Sequence, residues 1–369
     1  GGEKTRLALV KLLLDPPKAG VADVLNELRG KGVSLKMITG DNRYVAAHVA
    51  ATVGLEPKQI LTGADIAALS TTALRHRATR TAVFAEIDPQ QKERIIAALQ
   101  HAGHAVGYMG DGINDAPALH LADVGISVDT AVDVARESAD IVLLKKDLAV
   151  LHQGVVDGRR TFSNTLKYIY IAVSSNFGNM VSMAIATPLL PFLPLLPKQI
   201  LLNNFMSDLP SVAISTDRVD PEHIAVPQRW DVRSVRRFMI GFGLLSSVFD
   251  MVSFGLLLLV FRAGAEEFHT AWFEISLLTE FAALFSLRTR RFALTSGPSP
   301  LLLGTAAVMA CVALALPYVP DARAALGLVP LGTPLIAAGI AITLSYAAAL
   351  ELAKRLMYRG RRGAKAASV

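Results

Sequence analysis

Cysteine is nearly absent from this 369-residue chain. Cys311 stands alone inside an apolar run, so neither a disulfide framework nor a thiolate metal cluster can be built. The chain also lacks internal repeats, and the small-residue tail after Arg361 is its one low-complexity tract. Residues 1–6 are polar and lead into a short strand-like run, which does not read as a signal peptide. A formal charge of +6 raises the question of nucleic acid, but the basic residues cluster at the ends of apolar runs, where they orient membrane spans. Nucleic acid is therefore not the expected partner.

What is present is apolar: 52% of the residues, with a mean hydropathy of +0.42. A soluble protein of this length is rarely so apolar, so a lipid bilayer is the first partner expected. Asp, Glu, Lys and Arg occur in ordinary amounts over residues 1–160. Residues 167–357 are long apolar runs broken by short charged segments. The expected organisation is a soluble domain over 1–150, a linker or stalk over 151–166, a membrane domain over 167–357 and a basic tail over 358–369.

In the soluble part the pattern alternates. Residues 7–14 suit a buried strand, 19–30 carry helical spacing (Val21, Val24, Leu25, Leu28) ending at Gly30, and 33–38 again suit a strand. Helices follow at 44–53, 89–99 (after the cap Asp88) and 115–122. Strands follow at 81–84, 105–109, 124–127 and 139–144. Repeated β-α-β units predict a doubly wound parallel sheet whose chemistry sits at the carboxyl ends of its strands. Two such ends carry notable loops, Thr39-Gly40-Asp41-Asn42 and Gly110-Asp111-Gly112-Ile113-Asn114-Asp115-Ala116-Pro117, and Lys92 lies in the first turns of a helix between them. A hydroxyl, a lysine and carboxylates at one sheet edge are what phosphoryl transfer needs, to hold phosphate oxygens and Mg²⁺. Thr-Gly-Asp alone is no more than a turn. The eight-residue loop after a buried strand is much harder to reach by chance.

Met109–Leu119, MGDGINDAPAL, resembles the hinge motif of P-type ATPases, whose phosphorylation domain has a haloacid-dehalogenase-like fold. Asp15-Pro16-Pro17-Lys18, Thr39-Gly40-Asp41 and the Lys92 segment match the same family in the same order, and the resemblance continues over residues 122–160. It implies that ATP is the substrate, that Thr39 and Lys92 contact the phosphoryl group, that Asp111 ligates the catalytic Mg²⁺ and that Asp115 supports the site. The family's nucleophile is the aspartate of an Asp-Lys-Thr-Gly-Thr motif, and no such string occurs in these 369 residues. Asp15 is followed by Pro16 and Pro17, which offer neither the second hydroxyl nor the backbone N–H of a phosphate loop. The expectation is a partial phosphorylation domain whose partner is a missing N-terminal half of the pump.

Six apolar runs reach the roughly 20 residues needed to cross a bilayer: 167–187, 193–214, 238–261, 270–287, 300–319 and 333–353. The fold class expected is thus α/β haloacid-dehalogenase-like, followed by an all-α six-helix transmembrane bundle. Arginine and lysine crowd the loops after the second and fourth runs and the tail, including Arg229, Arg233, Arg236, Arg237, Arg288, Arg290, Arg291 and Lys354. The three opposite loops hold only Lys198, Arg262 and Arg323. That alternation places both ends in the cytoplasm, as for a multi-pass protein of the plasma membrane. Trp230, Trp272 and Tyr358 fit interfacial anchoring.

Polar residues inside spans are costly and mark function. Asn176 and Asn179 share a helix face in the first run, as do Asn204 and Asp208 in the second. Pro210 frees a carbonyl near Asp208. An acid with amides and carbonyls suits a hard cation, and Asn176, Asn179, Asn204 and Asp208 are the expected transport ligands. Asp250, Glu274 and Glu280 are further acids that could line an ion path. The segments SSNFGN and Asn-Asn…Asp-Leu…Thr-Asp-Arg-Val-Asp resemble magnesium-transporting P-type ATPases, which implies Mg²⁺ as the transported cation. Calcium-type pumps tend to carry a glutamate where Asn179 stands, whereas Leu209-Pro210-Ser211 after Asp208 is closer to their sequence. A pump for calcium or another cation stays open, as does a non-enzymatic membrane subunit. A membrane-anchored phosphatase does not explain Asp208 in a span and lacks the nucleophile.

Overall fold

The computed structural model describes residues 8–10, 21–55, 59–145 and 147–366, so Asp15-Pro16-Pro17-Lys18 lies outside the described residues. The chain divides into two compact units, 1–159 with 221–228, and 160–220 with 229–369.

The first unit holds a parallel sheet of β1 (Ala8–Val10), β2 (Ser34–Ile38), β3 (Ile60–Thr62), β4 (Val83–Ala85), β5 (Val106–Met109), β6 (Val124–Val128) and β7 (Ile141–Leu143), in the order β3-β4-β2-β1-β5-β6-β7. Helices α1 (Val21–Gly30), α2 (Arg43–Thr52), α3 (Gly63–Ala68), α4 (Thr71–Arg80), α5 (Pro89–His101), α6 (Ala116–Leu121) and α7 (Asp133–Glu137) connect the strands. Covered on both faces, β4 and β5 are buried at every position, which is why they read as continuous apolar runs rather than alternating ones. Asp88 caps α5 as expected: its carboxylate accepts from the Gln91 N–H at 2.7 Å, and Gln91 reaches back to the Asp88 N–H. β3, α3 and α4 carry too little periodic apolar signal to be expected from the sequence. Only Leu74 and Ala78 of α4 are buried.

From the central strand β1 the chain builds outward on one side through β2 and on the other through β5. The order of connection reverses there. In a doubly wound sheet that crevice at the carboxyl ends is where ligands bind.

The second unit is helical. It contains α9 (Pro197–Ala213), α11 (Val232–Gly255, continued by a π-turn over Leu256–Val260), α12 (Ala265–Leu287), α13 (Pro300–Ala315), α14 (Pro320–Leu326) and α15 (Thr333–Ala366), together with most of α8 (Leu148–Leu189). The short α10 (Pro221–Ala225) belongs with the first unit. The segments expected as stalk and first span form a single helix of 42 residues, and α15 continues into the segment expected as a tail. Among the described residues five helices are long and apolar enough to cross a membrane. The second expected span, 193–214, becomes the 17-residue α9 and is not among the five. Pro191, Pro194 and Pro197 delay its start, since the residue before a proline is pushed out of the helical region and Pro197 can serve only as a first helical residue.

α12 is the buried centre of this unit, packing against α9, α11, α13 and α15. At its end lies a closed set of charges. Asp217 accepts from Lys167 Nζ at 2.8 Å, Arg288 Nη1 at 3.1 Å and the Ser299 N–H at 3.2 Å. Asp220 accepts from Thr289 Oγ1 at 2.8 Å, and Lys354 Nζ meets Glu351 Oε1 at 2.7 Å and the Ser286 carbonyl at 2.7 Å. Lys167, Arg288 and Lys354 thus stand with Asp217, Asp220 and Glu351, all of them buried. Arg288 and Lys354, expected as orienting surface charges, are interior here. Arg229, Arg233, Arg236, Arg237 and Arg290 remain exposed. Trp272 also corrects its expectation. It is 1% exposed in the core with Phe254 and Phe268 rather than at an interface, because its indole N–H has a buried acceptor in Asp250 at 3.1 Å.

Lys36 on β2 is buried, with Nζ donating to the Thr79 carbonyl at 3.2 Å and the Thr81 carbonyl at 2.6 Å. Burial pushes its pKa down to about 8. Between that value and the ordinary one the unfolded chain binds more protons than the folded one, so the destabilisation is present in full below pH 8 and is relieved as pH rises. Relative to Lys36→Met, the wild type should gain up to about 1.4 kcal/mol per pH unit above pH 8. Thermal unfolding of both proteins across pH 7 to 10 checks the slope.

Candidate functional site

Thr39 and Asp41 follow β2, and Asp111 follows β5. Val10 pairs with Lys36 on one side and Tyr108 on the other, so Thr39 and Asp111 each come three residues past the same rung, flanking the line of β1. Strand spacing sets those two loops roughly 10 Å apart. The Thr39 loop is tied down. Its hydroxyl donates to Asp41 Oδ2 at 2.7 Å and accepts from the Asp41 N–H at 3.1 Å. The Glu86 N–H donates to the Asp41 carbonyl at 2.8 Å, and the Ile87 N–H to the Thr39 carbonyl at 3.1 Å. Glu86 adopts φ 58°, a left-handed conformation rare outside glycine, and its carboxylate accepts from the Arg43 N–H at the start of α2. Gly40 is exposed at the tip.

Lys92 and Asp115 come together directly. Lys92 Nζ lies 2.7 Å from Asp115 Oδ1, which also accepts from the Tyr108 hydroxyl at 2.7 Å, and Asp115 Oδ2 accepts from the Gly112 N–H at 3.2 Å. Lys92 and Asp115 are both buried. Burial, with the charge of Asp115 beside it, pushes the Tyr108 phenol pKa up, so the ring stays a neutral donor. The fold demands glycine at 110, where an added Cβ would lie 2.5 Å from Asp115 Cβ. Asp111 is half-buried, and its carbonyl accepts from the Val132 N–H at 3.2 Å. Among the described residues no group of three or more His, Cys, Asp and Glu could hold a metal by itself.

In the helical unit the sequence-expected ligands separate. Asn179 is half-buried, and its Nδ2 donates to Glu280 Oε1 on α12 at 2.6 Å. Asn176, Asn204 and Asp208 are exposed on α8 and α9, with Asp208 near enough to act on Glu280 electrostatically. Asn203, not its neighbour Asn204, is the buried asparagine. Its Nδ2 donates to Glu280 Oε1 at 3.3 Å, and its Oδ1 is buried without a hydrogen-bond partner. Sequence reasoning missed Asn203 because helix phase, not composition, decides which of two adjacent asparagines faces α12.

Two families match this chain: haloacid dehalogenase-like hydrolase over residues 3–123 and Cation transporting ATPase, C-terminus, over residues 192–356. "Magnesium-transporting ATPase, P-type 1" of Escherichia coli strain K12 is 49% identical over 313 residues, 83% of this chain and 35% of the relative. The chain belongs to the cation-transporting P-type ATPases. A protein of the same name from Salmonella typhimurium strain LT2 is 42% identical over 96% of the chain and 40% of its own length. "Calcium-transporting ATPase" of Bacillus subtilis strain 168 is 31% identical over 82% of the chain and 35% of its own length. The chain spans little more than a third of the relatives it matches. In this P-type ATPase chain the haloacid-dehalogenase-like match falls on the part of the α/β unit that carries Thr39, Lys92 and Asp111, and the cation ATPase match falls on the helices that carry Asn203, Asp208 and Glu280.

Removing Asp115 strands a buried ammonium. Asp115→Leu should cost about 3–5 kcal/mol, Tyr108→Phe about 1 kcal/mol, and the double replacement Lys92→Met/Asp115→Leu should recover most of the first loss. Thermal shifts of the detergent-solubilised protein measure all three.

Proposed function

We propose that these 369 residues work as part of an ATP-driven pump that carries Mg²⁺ across the plasma membrane, with both ends of the chain cytoplasmic. The observation that carries the cation site is the pair Glu280 and Asn203. A half-buried carboxylate and a buried, orphaned amide oxygen, side by side among apolar helices, offer hard oxygen ligands and have no lysine or arginine bonded to them among the described residues. Asp208 supplies a second acid, and Asn176, Asn179 and Asn204 supply amides. Mg²⁺ retains several waters and needs only one or two carboxylates, which this set provides. The more similar relatives, named as magnesium-transporting, favour the same ion. A calcium pump remains the second reading, favoured by Leu209-Pro210 after Asp208 and by the Bacillus relative. Polar Asn176, Asn204 and Asp208 would be costly against lipid, so in the complete pump that face is covered.

On the phosphoryl side, Asp115 is committed to Lys92 and Tyr108, so of the two loop acids Asp111 is the one suited to the catalytic Mg²⁺. That ion, when bound, neutralises charge on the transferring phosphoryl group. Thr39 presents its hydroxyl and Lys92 a fixed positive charge to the phosphate oxygens, while Asp115 and Tyr108 hold the lysine in place. Gly40 and Asp41 shape the Thr39 turn. The acceptor aspartate comes from sequence other than these residues.

The two halves of the proposal separate experimentally in the complete pump. Asp111→Asn should abolish phosphoenzyme formation from ATP and leave equilibrium cation affinity unchanged. Asp208→Asn should abolish growth of a Mg²⁺-uptake-deficient strain at low Mg²⁺, with protein level and membrane insertion intact. Phosphorylation of Asp111→Asn at the wild-type rate, or normal growth with Asp208→Asn, would move the respective site elsewhere.

A further inference from the structure

Asp250 on α11 is buried in the helical unit and belongs to neither set of ligands above. Both its oxygens are used. Oδ2 accepts from Ser182 Oγ on α8 at 2.6 Å, and Oδ1 accepts from Trp272 Nε1 on α12 at 3.1 Å. These are the two helices that carry Asn179 and Glu280, joined to each other at 2.6 Å. Ser182 comes three residues after Asn179, so the two share one face of α8. A single carboxylate thus bridges the helices that present the proposed cation ligands.

The α8–α11 seam around Asp250 is built for close approach. An added Cβ at Gly178 would lie 3.0 Å from the Gly243 carbonyl, and one at Gly243 would lie 2.7 Å from Phe177 Cδ1 and 3.0 Å from the Ser174 carbonyl. Ser247 Oγ donates to the Gly178 carbonyl at 3.0 Å. Small residues let the backbones meet, and interhelical hydrogen bonds then fix their register. Positions 243, 247 and 250 of α11 oppose 174, 178 and 182 of α8, so one stripe of each helix forms the seam. An acid at 250 has a specific use, because asparagine would offer one acceptor oxygen where two donors must be met.

We propose that Asp250 is a positioning residue of the cation site: through Ser182 and Trp272 it clamps α8 to α12 and sets the Asn179–Glu280 geometry. This rests on the transport-site reading above. Partners that orient metal ligands from outside typically change metal affinity about 10–100-fold when removed.

The test uses the complete pump in proteoliposomes, with ATPase activity measured against lumenal Mg²⁺ at fixed external MgATP for Ser182→Ala, Asp250→Leu, Asp250→Asn and Asp208→Asn. Ser182→Ala and Asp250→Leu should raise the KM for Mg²⁺ about tenfold with kcat within about twofold. Asp250→Asn, keeping one acceptor, should raise it less. If Asp250→Leu does not accumulate, Ser182→Ala and Asp250→Asn decide. A KM unchanged in those variants, or a fall in kcat at constant KM, overturns the clamp. Should Asp208→Asn also leave the KM unchanged, the transport-site reading itself fails; a shift with Asp208→Asn alone sinks only the role of Asp250.

Discussion

Burying charge among apolar helices is tolerable where each charge meets its opposite or a full set of hydrogen-bond donors, and Asp217 is where this chain meets that constraint with opposite charges. Two cations, Lys167 on α8 and Arg288 at the end of α12, converge on one carboxylate that also takes the N–H of Ser299, the residue that caps α13. Asn164 adds a bond to the Asp217 carbonyl at 2.9 Å. Removing one partner of such a set leaves an uncompensated interior charge at about 3–5 kcal/mol, whereas the complete set roughly offsets its own desolvation. Its value therefore lies in geometry. It fixes where α8, α12 and α13 stand relative to the turn after α9, and the register of Asn179, Asn203 and Glu280 depends on those helices.

The same logic recurs, smaller, in the α/β unit. Lys92 is buried and remains useful as a fixed positive charge because Asp115 and Tyr108 hold it. The glycine at 110 exists because the Asp115 side chain occupies the space a Cβ would need. The loop after β5 therefore has a division of labour between its acids. One secures the lysine, and the other, half-buried at the sheet edge, is the proposed Mg²⁺ ligand.

Much of this was legible in the chain. Local signals gave the β-α-β alternation, the Asp88 cap, the two loops at strand ends and most of the apolar helices, because each depends on residues within a few positions of one another. Long-range pairings were not legible. Nothing in composition joins Lys92 to Asp115 across 23 residues or Lys167 to Asp217 across 50. Trp272 reads as an interfacial anchor until its indole finds Asp250 in the core. Arg288 and Lys354 read as orienting surface charges until their carboxylates come into view.

Sequence by itself therefore determined which chemical groups lie at each strand end and in each apolar run, since spacing along one strand or helix is a local property. Only the tertiary structure decided which of those groups have partners. Asn203 rather than Asn204 faces Glu280, Asp115 rather than Asp111 is spent on Lys92, and Asp250 is tied by two neutral donors. Each of these outcomes turns on helix phase and on approach between segments far apart in the chain, where desolvation penalises every polar atom left unmatched.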